Sequence, residues 1–396
     1  MRDNWQTVRL GDLCTIKGRI GFRGYTRQDL VEKGEGAITL SPSNIVDDKL
    51  NLDKCQYISW FKYDESPEIM IFEGDIIYAK TASIGKVALV KDLPEKATIN
   101  PQFVVFKNIK CNRSFLYYAV RSHGFKEQVS LITNGVAIPT VSQSNLEKLH
   151  IKLPSVSEQQ RIVDELDLLT GIIDKKNAQL RDLDALAQSI FYEMFGDPAV
   201  NEKGWPVKQI SDLFDVGSSK RVFESEWRDS GVPFYRAREI VRLSKGLPLE
   251  DPIFIEESLF AAYKEKYGIP AAGDIMVTGV GTLGICYLVK EGDRFYFKDG
   301  NTLWFKDKHI SNSRFIKDQF LTEFVKDQIK GNSHGATVGT YTIVNAKKTR
   351  VICPPVKLQN EYEERVNAID SQKRVIGKSL TETQNLLDSR MHNYFG

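Results

Sequence analysis

Apolar positions along this chain follow two different rhythms, and the pair of rhythms occurs twice. In the first, short apolar runs are bounded by turn residues. Ile76-Ile77-Tyr78 and Val87-Ala88-Leu89-Val90 flank a turn at Gly85, and Phe103-Val104-Val105-Phe106 is a run of buried-strand length. Ile151-Lys152-Leu153 alternates before Pro154. These runs predict strands, whereas Arg113 to Gln128 and Ser313 to Gln328 look helical. From Ile162 the rhythm changes. Ile162, Leu166, Leu169, Ile173, Leu180, Leu183, Ala187, Ile190 and Met194 recur at alternating steps of four and three, with Lys176 filling the gap. That is a heptad seam, and Ser157 is its predicted N-cap. The seam returns as Tyr362, Val366, Ile369, Ile376, Leu380, Leu387 and Tyr394, with Lys373 as its lysine. No proline interrupts either helix, and Gly171 and Gly377 are the only interior glycines. A helix from Ser157 to Phe195 would be roughly 58 Å long at 1.5 Å per residue.

The recurrence is an internal repeat. Trp5, Asp12 and Leu13 return as Trp205, Asp212 and Leu213, an offset of 200. Gly74-Asp75-Ile76 returns as Gly273-Asp274-Ile275, an offset of 199. Gly135, Thr140, Asn145, Pro154, Gln159 and Phe195-Gly196 return as Gly335, Thr340, Asn345, Pro354, Gln359 and Phe395-Gly396 at 200 again. Steady offsets over the whole length identify a duplication. The predicted fold class is α/β (mixed α+β). Two α/β modules at 1–153 and 197–353 alternate with long helices at 154–196 and 354–396. A seam of this kind cannot be buried by one helix alone. Either the two helices pair antiparallel, giving a pseudo-twofold with the modules at opposite ends, or each folds back on its own module. A strict heptad over so many turns favours helix-on-helix packing. The repeat of Phe195-Gly196 at the C-terminus then places the chain's end near the start of the first module.

Composition narrows the class. At 396 residues, 41% hydrophobic and 27% charged, the chain reads as soluble, globular and too long for one ordinary core. The N-terminus has no apolar stretch of signal-peptide length, and no apolar run is long enough to span a membrane, so a cytoplasmic location is expected. Cys14, Cys55, Cys111, Cys286 and Cys353 form no close pair, which predicts buried reduced thiols rather than a zinc site or disulfides. The five histidines show no metal-ligand spacing. A net charge of +2 selects no partner by itself.

Motifs that suggest catalysis have plainer explanations. Gly279-Val280-Gly281-Thr282-Leu283-Gly284 matches the dinucleotide fingerprint, but its counterpart Lys80-Thr81-Ala82-Ser83-Ile84-Gly85 keeps only the last glycine. Asn100-Pro101-Gln102-Phe103 approaches the adenine methyltransferase motif but has Gln102 in place of its second proline, with no cofactor motif nearby. Asp75 and Asp274 each follow a glycine at a strand start, where an aspartate caps a turn. No catalytic residue, metal site or cofactor site is expected.

On these residues the chain resembles the specificity subunit of a type I restriction-modification system, over its full length. The most specific element is the junction Ile151-Lys152-Leu153-Pro154-Ser155-Val156-Ser157-Glu158-Gln159-Gln160-Arg161-Ile162, a strand, a proline and Glu-Gln-x-Arg opening a long helix. The second junction keeps the strand, Pro354 and Gln359 but has Leu358 where the first has Glu158. The resemblance implies two target-recognition domains, each binding one half of an interrupted DNA site. It implies helices that serve as spacer and as docking surface for two modification subunits that methylate adenine. S-adenosylmethionine and ATP would then belong to the modification and the restriction/translocase subunits. A self-contained methyltransferase or nuclease would need a cofactor motif that is missing, and a protein-only coiled-coil adaptor would leave the duplicated modules without a purpose.

A duplication that reads two sequences offers an internal comparison, since shared positions serve the scaffold and differing polar loop positions are candidate readers. Gly36 to Ile45 aligns with Gly231 to Ile240, and Ser41 and Ser43 become Arg236 and Arg238. Two arginines two apart on an extended segment would point the same way, towards a guanine, a phosphate or Glu239. Lys80, Thr81 and Ser83 face Gly279, Val280 and Thr282, and Asn134 faces His334, preceded by Asn332 and Ser333. Small polar residues beside glycine suit close approach to DNA and also suit ordinary turns. Lys176 and Lys373 either snorkel from the seam or fix its register.

Overall fold

A computed structural model describes residues 5–133, 139–331 and 339–396. The chain divides into two compact units, Met1–Ala178 with Gly377–Gly396, and Gln179–Ile376. Each unit therefore holds one module and a part of both long helices.

In unit 1 the antiparallel pairing of Ile76–Ala79 with Val87–Leu89 and with Phe103–Lys107 builds a four-stranded sheet that ends on Thr15–Gly18. Ile76 to Ala79 are buried on both faces, which is why the run is continuously apolar rather than alternating. A second, five-stranded sheet runs Leu30–Val31, Gln56–Ser59, Gly36–Leu40, Ala97–Ile99 and Met70–Ile71, with one parallel pair, Gly36–Leu40 beside Ala97–Ile99. Unit 2 repeats the four-stranded order with Cys286–Leu288, Ile275–Thr278, Thr302–Asp307 and Phe214–Gly217. Its second sheet has three strands, Ile253–Ile255, Val232–Tyr235 and Tyr296–Phe297, and again one parallel pair. A short ladder in each unit joins the start of the module to the strand before the long helix, Gln6–Arg9 with His150–Leu153 and Val207–Gln209 with Arg350–Ile352.

The stretches expected to be helical at 113–128 and 313–328 are helical, and each holds two helices. Arg113–Arg121 and His123–Thr133 break at Ser122, and Ser313–Gln319 and Glu323–Gly331 break at Thr322. The cause is a hydroxyl in both copies. Ser122 Oγ donates to Ala119 O (2.7 Å) and accepts from Phe125 N (3.2 Å), closing one helix and opening the next. Thr322 Oγ1 donates likewise to Gln319 O (2.6 Å). Apolar periodicity runs through the break, so it conceals it.

The long helices span Val156–Phe195 and Val356–Phe395. The first starts earlier than the Ser157 cap implied, because Ser155 Oγ accepts from Glu158 N (3.4 Å) and Ser155 O accepts from Gln159 N (2.9 Å). In unit 1 Glu165 meets Arg390 and Tyr394, while Lys176 meets Ser379 and Thr383. In unit 2 Asp184 meets Lys373, and Phe191 packs on Tyr362. Within each unit partners descend along one helix as they ascend along the other, so the two long helices pack antiparallel there as a coiled coil. Ile162, Leu166, Leu169 and Leu387 are buried in the core of unit 1, with Ile173 partly buried against it. Val366 lies in the core of unit 2, Ile369 is buried, and Leu180, Leu183, Ile376 and Leu380 are half-buried. Both expected packings coexist: the early turns of each helix lie on the module that precedes it, and the seam faces the other helix. Trp5 and Phe395 flank Phe115 at ring-centroid distances of 6.5 and 5.3 Å, so the two ends of the chain share unit 1.

One buried clasp recurs where each module meets its long helix. Gln159 Nε2 donates to Pro154 O (2.8 Å), and its Oε1 accepts from Asn112 N (2.9 Å). Gln359 makes the same bonds to Pro354 O (2.6 Å) and Asn312 N (2.8 Å). Asn112 and Asn312 in turn cap Arg113–Arg121 and Ser313–Gln319 by accepting from Phe115 N and Phe315 N. By contrast Glu158 makes only an exposed ion pair with Arg161, which explains how Leu358 can replace it in the other copy. All five cysteines are free. Cys14 and Cys286 are buried as expected, but Cys55, Cys111 and Cys353 are partly exposed.

The clasp should be worth more than its size. Gln359→Leu leaves Pro354 O and Asn312 N buried without partners, at roughly 1–3 kcal/mol for each unsatisfied group. Urea unfolding should show a midpoint lowered accordingly, while Glu158→Leu should change it by under about 0.5 kcal/mol. Equal effects would assign the junction's stability elsewhere.

Acid should act on unit 2 through Asp318. Burial raises this carboxyl's pKa, but Lys317 and Arg314 outweigh burial and hold it below the usual carboxylate range. A depressed folded pKa contributes stability that is present above about pH 4 and lost as pH falls through the folded value. Asp318→Asn should therefore lower the unfolding midpoint at neutral pH, where removing one partner of a buried pair costs roughly 3–5 kcal/mol. Calorimetry from pH 7 to pH 2 should show its gap from the parent chain narrowing. A gap that widens in acid would contradict the assignment.

Candidate nucleic-acid interface

Two segments that differ between the copies come together in each unit, and the chain returns beside them in a third. The first is the hairpin turn after Ile76–Ala79 or Ile275–Thr278. Ala79 N donates to Lys86 O (2.8 Å) and Gly85 N to Ala79 O (3.2 Å), and Thr278 N to Ile285 O (3.0 Å) and Gly284 N to Thr278 O (2.9 Å). Gly85 and Gly284 sit at φ +91° and +75°, a conformation that excludes most side chains and explains the one glycine both copies share. The six residues from Gly279 to Gly284 thus form a strand-turn-strand hairpin rather than the strand-to-helix turn a dinucleotide cradle needs.

The second segment follows the parallel strand. In unit 1 Ser41 caps a single helical turn, Pro42–Asn44. Buried Asn44 accepts from Ser41 N (3.0 Å) and Ser41 Oγ (3.1 Å), and Ser41 Oγ lies 2.7 Å from Ser43 Oγ. In unit 2 the arginines are not on an extended strand. Arg236 is the cap of the helix Ala237–Ser244, and Arg238 lies in its first turn. Both turn to Glu239, which stands where Asn44 stands. Arg236 N (2.8 Å) and Nε (3.0 Å) donate to Glu239 Oε2, and Arg236 Nη2 (2.7 Å) and Arg238 Nε (2.9 Å) to Oε1. Burial pushes the Glu239 carboxyl up, but the two guanidinium groups outweigh it and hold it below the ordinary range. The pattern Arg-x-x-Glu is a capping-box spacing, and that was the available sign of a helix here.

The third segment returns to the hairpin turn after residues 134–138 and 332–338. Thr81 bridges to Thr140 and Val280 to Thr340, while Val141 N donates to Lys80 O (2.9 Å) and Tyr341 N to Gly279 O (2.8 Å). Asn134, Asn332, Ser333 and His334 lie outside the described residues.

The first two segments touch. Lys86 Nζ donates to Pro42 O (3.2 Å) and Ile45 O (3.3 Å), fastening the Ser41–Ser43 turn to the hairpin. In unit 2 a cavity of about 380 Å³ is lined by Arg238 and Arg242 on one side and Val280, Gly281 and Thr282 on the other. Lys86 and Arg242 were missed from the sequence. Lys86 aligns with Ile285, so comparing the copies one position further would have found it. Burial pushes the Lys80 ammonium pKa down, so an arriving phosphate would favour its charged form. Ser43 is exposed, and Thr81 and Ser83 are half-buried.

The residues that suggested catalysis are occupied otherwise. Asp75 accepts from Phe72 N (3.0 Å) and Lys107 Nζ (2.5 Å), and Asp274 from Ala271 N (2.9 Å) and Trp304 Nε1 (2.7 Å). Asn100 and Gln102 bond to each other in a turn. Among the described residues no group of three or more His, Cys, Asp or Glu could hold a metal ion, and no helix is long and apolar enough to cross a membrane.

Comparison with known proteins identifies the family. The family described as the type I restriction modification DNA specificity domain matches twice, over residues 2–182 and 202–382. A Haemophilus influenzae protein assigned as a type I restriction enzyme specificity subunit is 25% identical over 288 residues, covering 72% of this chain and 70% of that one. The MjaIX specificity subunit of Methanocaldococcus jannaschii is 25% identical over 332 residues, covering 77% and 74%. In fold, the S subunit of the type I restriction-modification system from M. genitalium superposes with a TM-score of 0.57 at 14% identity, covering 99% of this chain and 96% of that one. This chain belongs to the type I restriction-modification DNA specificity family, and it carries the family's domain twice.

Proposed function

We propose that the chain is the DNA-reading subunit of a type I modification complex and that each module reads one half of an interrupted site. The observation that carries this reading is the convergence in each unit. Copy-variable polar segments meet at one hairpin turn, while the residues both copies share, Gln159 and Gln359 above all, are committed to the scaffold. Readers that vary on a frame that does not vary are what two specificities from one duplicated domain require. The long helices dock the modification subunits, which bind S-adenosylmethionine and methylate adenine, and restriction subunits supply ATP-driven translocation. The chain itself binds duplex DNA and no cofactor.

Reconstitution tests this directly. The purified chain alone should neither methylate nor cut DNA. With its modification subunit and S-adenosylmethionine it should direct methylation within both halves of one two-part site, read by methylome sequencing. Methyl transfer by the isolated chain would overturn the proposal, as would a complex whose methylation ignores sequence.

The helices are also proposed to set the gap between the half-sites, being the stiff segment that follows each module in the chain. Adding one heptad after Leu180 and one after Leu380 lengthens each helix by about 10.5 Å and turns its far end by about 20°. The gap should grow by up to about three base pairs at 3.4 Å each, with both half-site sequences unchanged. A lengthened chain that stays active on the original gap, or that reads different bases, would rule this out.

A further inference from the structure

The buried carboxylate in module 2 raises a question that capping does not answer. At the same position Asn44 closes the same capping box in module 1 with no charge at all. Glu239, 1% exposed, is therefore more than the cap needs. What its charge adds is a hold on two guanidinium groups, and the two are held differently. Arg236 gives its main-chain N–H, Nε and Nη2 to Glu239, is 22% exposed, and lies 5.9 Å from the ring centroid of Trp227. Arg238 is 51% exposed and gives Nε to Glu239, while its Nη2 makes longer bonds to Glu250 O (3.2 Å) and Asp251 O (3.3 Å). Its Nη1 has no hydrogen-bond acceptor among the described residues.

Arg238 also lines the cavity that faces the hairpin turn. The other arginine there, Arg242, is paired with Glu250 and donates to Pro248 O. Across the cavity, a Cβ added to Gly281 would meet nothing within 4 Å, so the space above that turn is open. A guanidinium pinned at Nε, with Nη2 on two longer bonds that a base could replace, keeps its outer edge and Nη1 in a fixed orientation. That is the geometry of a bidentate contact to guanine O6 and N7, the commonest specific base contact, and the same fork can also hold a phosphate, so charge separates the two. The trio of Arg236, Arg238 and Glu239 carries one net positive charge rather than two, which weakens it as a phosphate anchor and leaves its geometry intact.

We propose that Arg238 reads a guanine in the half-site of module 2, and that buried Glu239 is its positioning residue, with Arg236 serving the clamp and not the base. This deepens the reading of module 2 as a DNA-recognition domain and rests on it.

The test uses the full chain reconstituted with its modification subunit, methylating a duplex library randomised over both half-sites, with the methylated fraction sequenced. The parent complex should require guanine at one position of one half-site. Arg238→Ala should reduce that preference about tenfold or more, and Arg238→Lys should not restore it, because an ammonium lacks the fork. Glu239→Gln should weaken the preference at that position alone. The triple replacement Arg236→Ser, Arg238→Ser and Glu239→Asn installs the neutral set that module 1 already uses, so it tests the proposal if Glu239→Gln unfolds. It should lose the guanine preference at that position and keep every other. Uniform loss of methylation across all sequences in Arg238→Ala, a wild-type pattern in Arg238→Lys, or an unchanged guanine preference in the triple replacement would each overturn the proposal. A parent complex with no sequence preference in any half-site would instead defeat the underlying reading.

Discussion

Everything in each unit hangs on satisfying two backbone groups at one buried corner. A strand ends at a proline, a long helix begins, and a second helix starts beside them. The carbonyl of Pro154 and the N–H of Asn112 would be left without partners there, and a buried orphan of either kind is costly. Gln159 serves both with one side chain, donating through its amide nitrogen and accepting through its oxygen. A glutamate could not donate, and an asparagine is one methylene shorter. Gln359 repeats the solution with the same atoms. The clasp thus ties the strand end, the long helix and the neighbouring helix to one another in each unit.

Because the corner is fixed by buried polar geometry, change elsewhere is cheap. The capping box after the parallel strand is a case. Its frame, a cap residue and a third residue accepting the cap's N–H, is the same in both modules. Its chemistry runs from Ser41, Ser43 and Asn44 to Arg236, Arg238 and Glu239 without altering the strand before it. The second sheet tolerates more still, five strands in unit 1 and three in unit 2. The four-stranded sheet that carries the hairpin keeps its order in both. The polar segments that differ between the copies vary on a capping frame that both keep.

The sequence made the duplication, the strands of the central sheet and both long helices legible, because each rests on a periodic burial pattern that repeats. Its failures were local and polar. The breaks at Ser122 and Thr322 come from single hydroxyls that close one helix and open another, and apolar periodicity is blind to them. The start of the first long helix was misplaced because Ser155 and Ser157 both suit a cap, and only the bond from Glu158 N to Ser155 distinguishes them. The arginine pair, expected on an extended segment, lies at the cap and in the first turn of a helix. The capping-box spacing from Arg236 to Glu239 was visible but had no serine, threonine or aspartate to announce it. Lys86, which fastens one candidate segment to another, matches an isoleucine in the second copy and so belonged among the differing positions from the outset.

The coiled coil departs from strict repetition where register is decided. Lys176 and Lys373 stand 197 residues apart, not 200, so the duplication does not superimpose them. Their partners differ in kind. Lys176 Nζ bonds to Ser379 O (2.9 Å), Ser379 Oγ (2.8 Å) and Thr383 Oγ1 (2.6 Å), acceptors without charge and partly buried. Lys373 meets Asp184 at an exposed position. A seam of apolar residues alone would tolerate a slip of one heptad, since leucine is replaced by leucine or isoleucine. A slip would take Lys176 away from all three acceptors, and a half-buried ammonium without partners is a heavy penalty. Ser379 and Thr383 are the complement of the lysine that fills the gap in the first seam. Together they favour a single register of the pair.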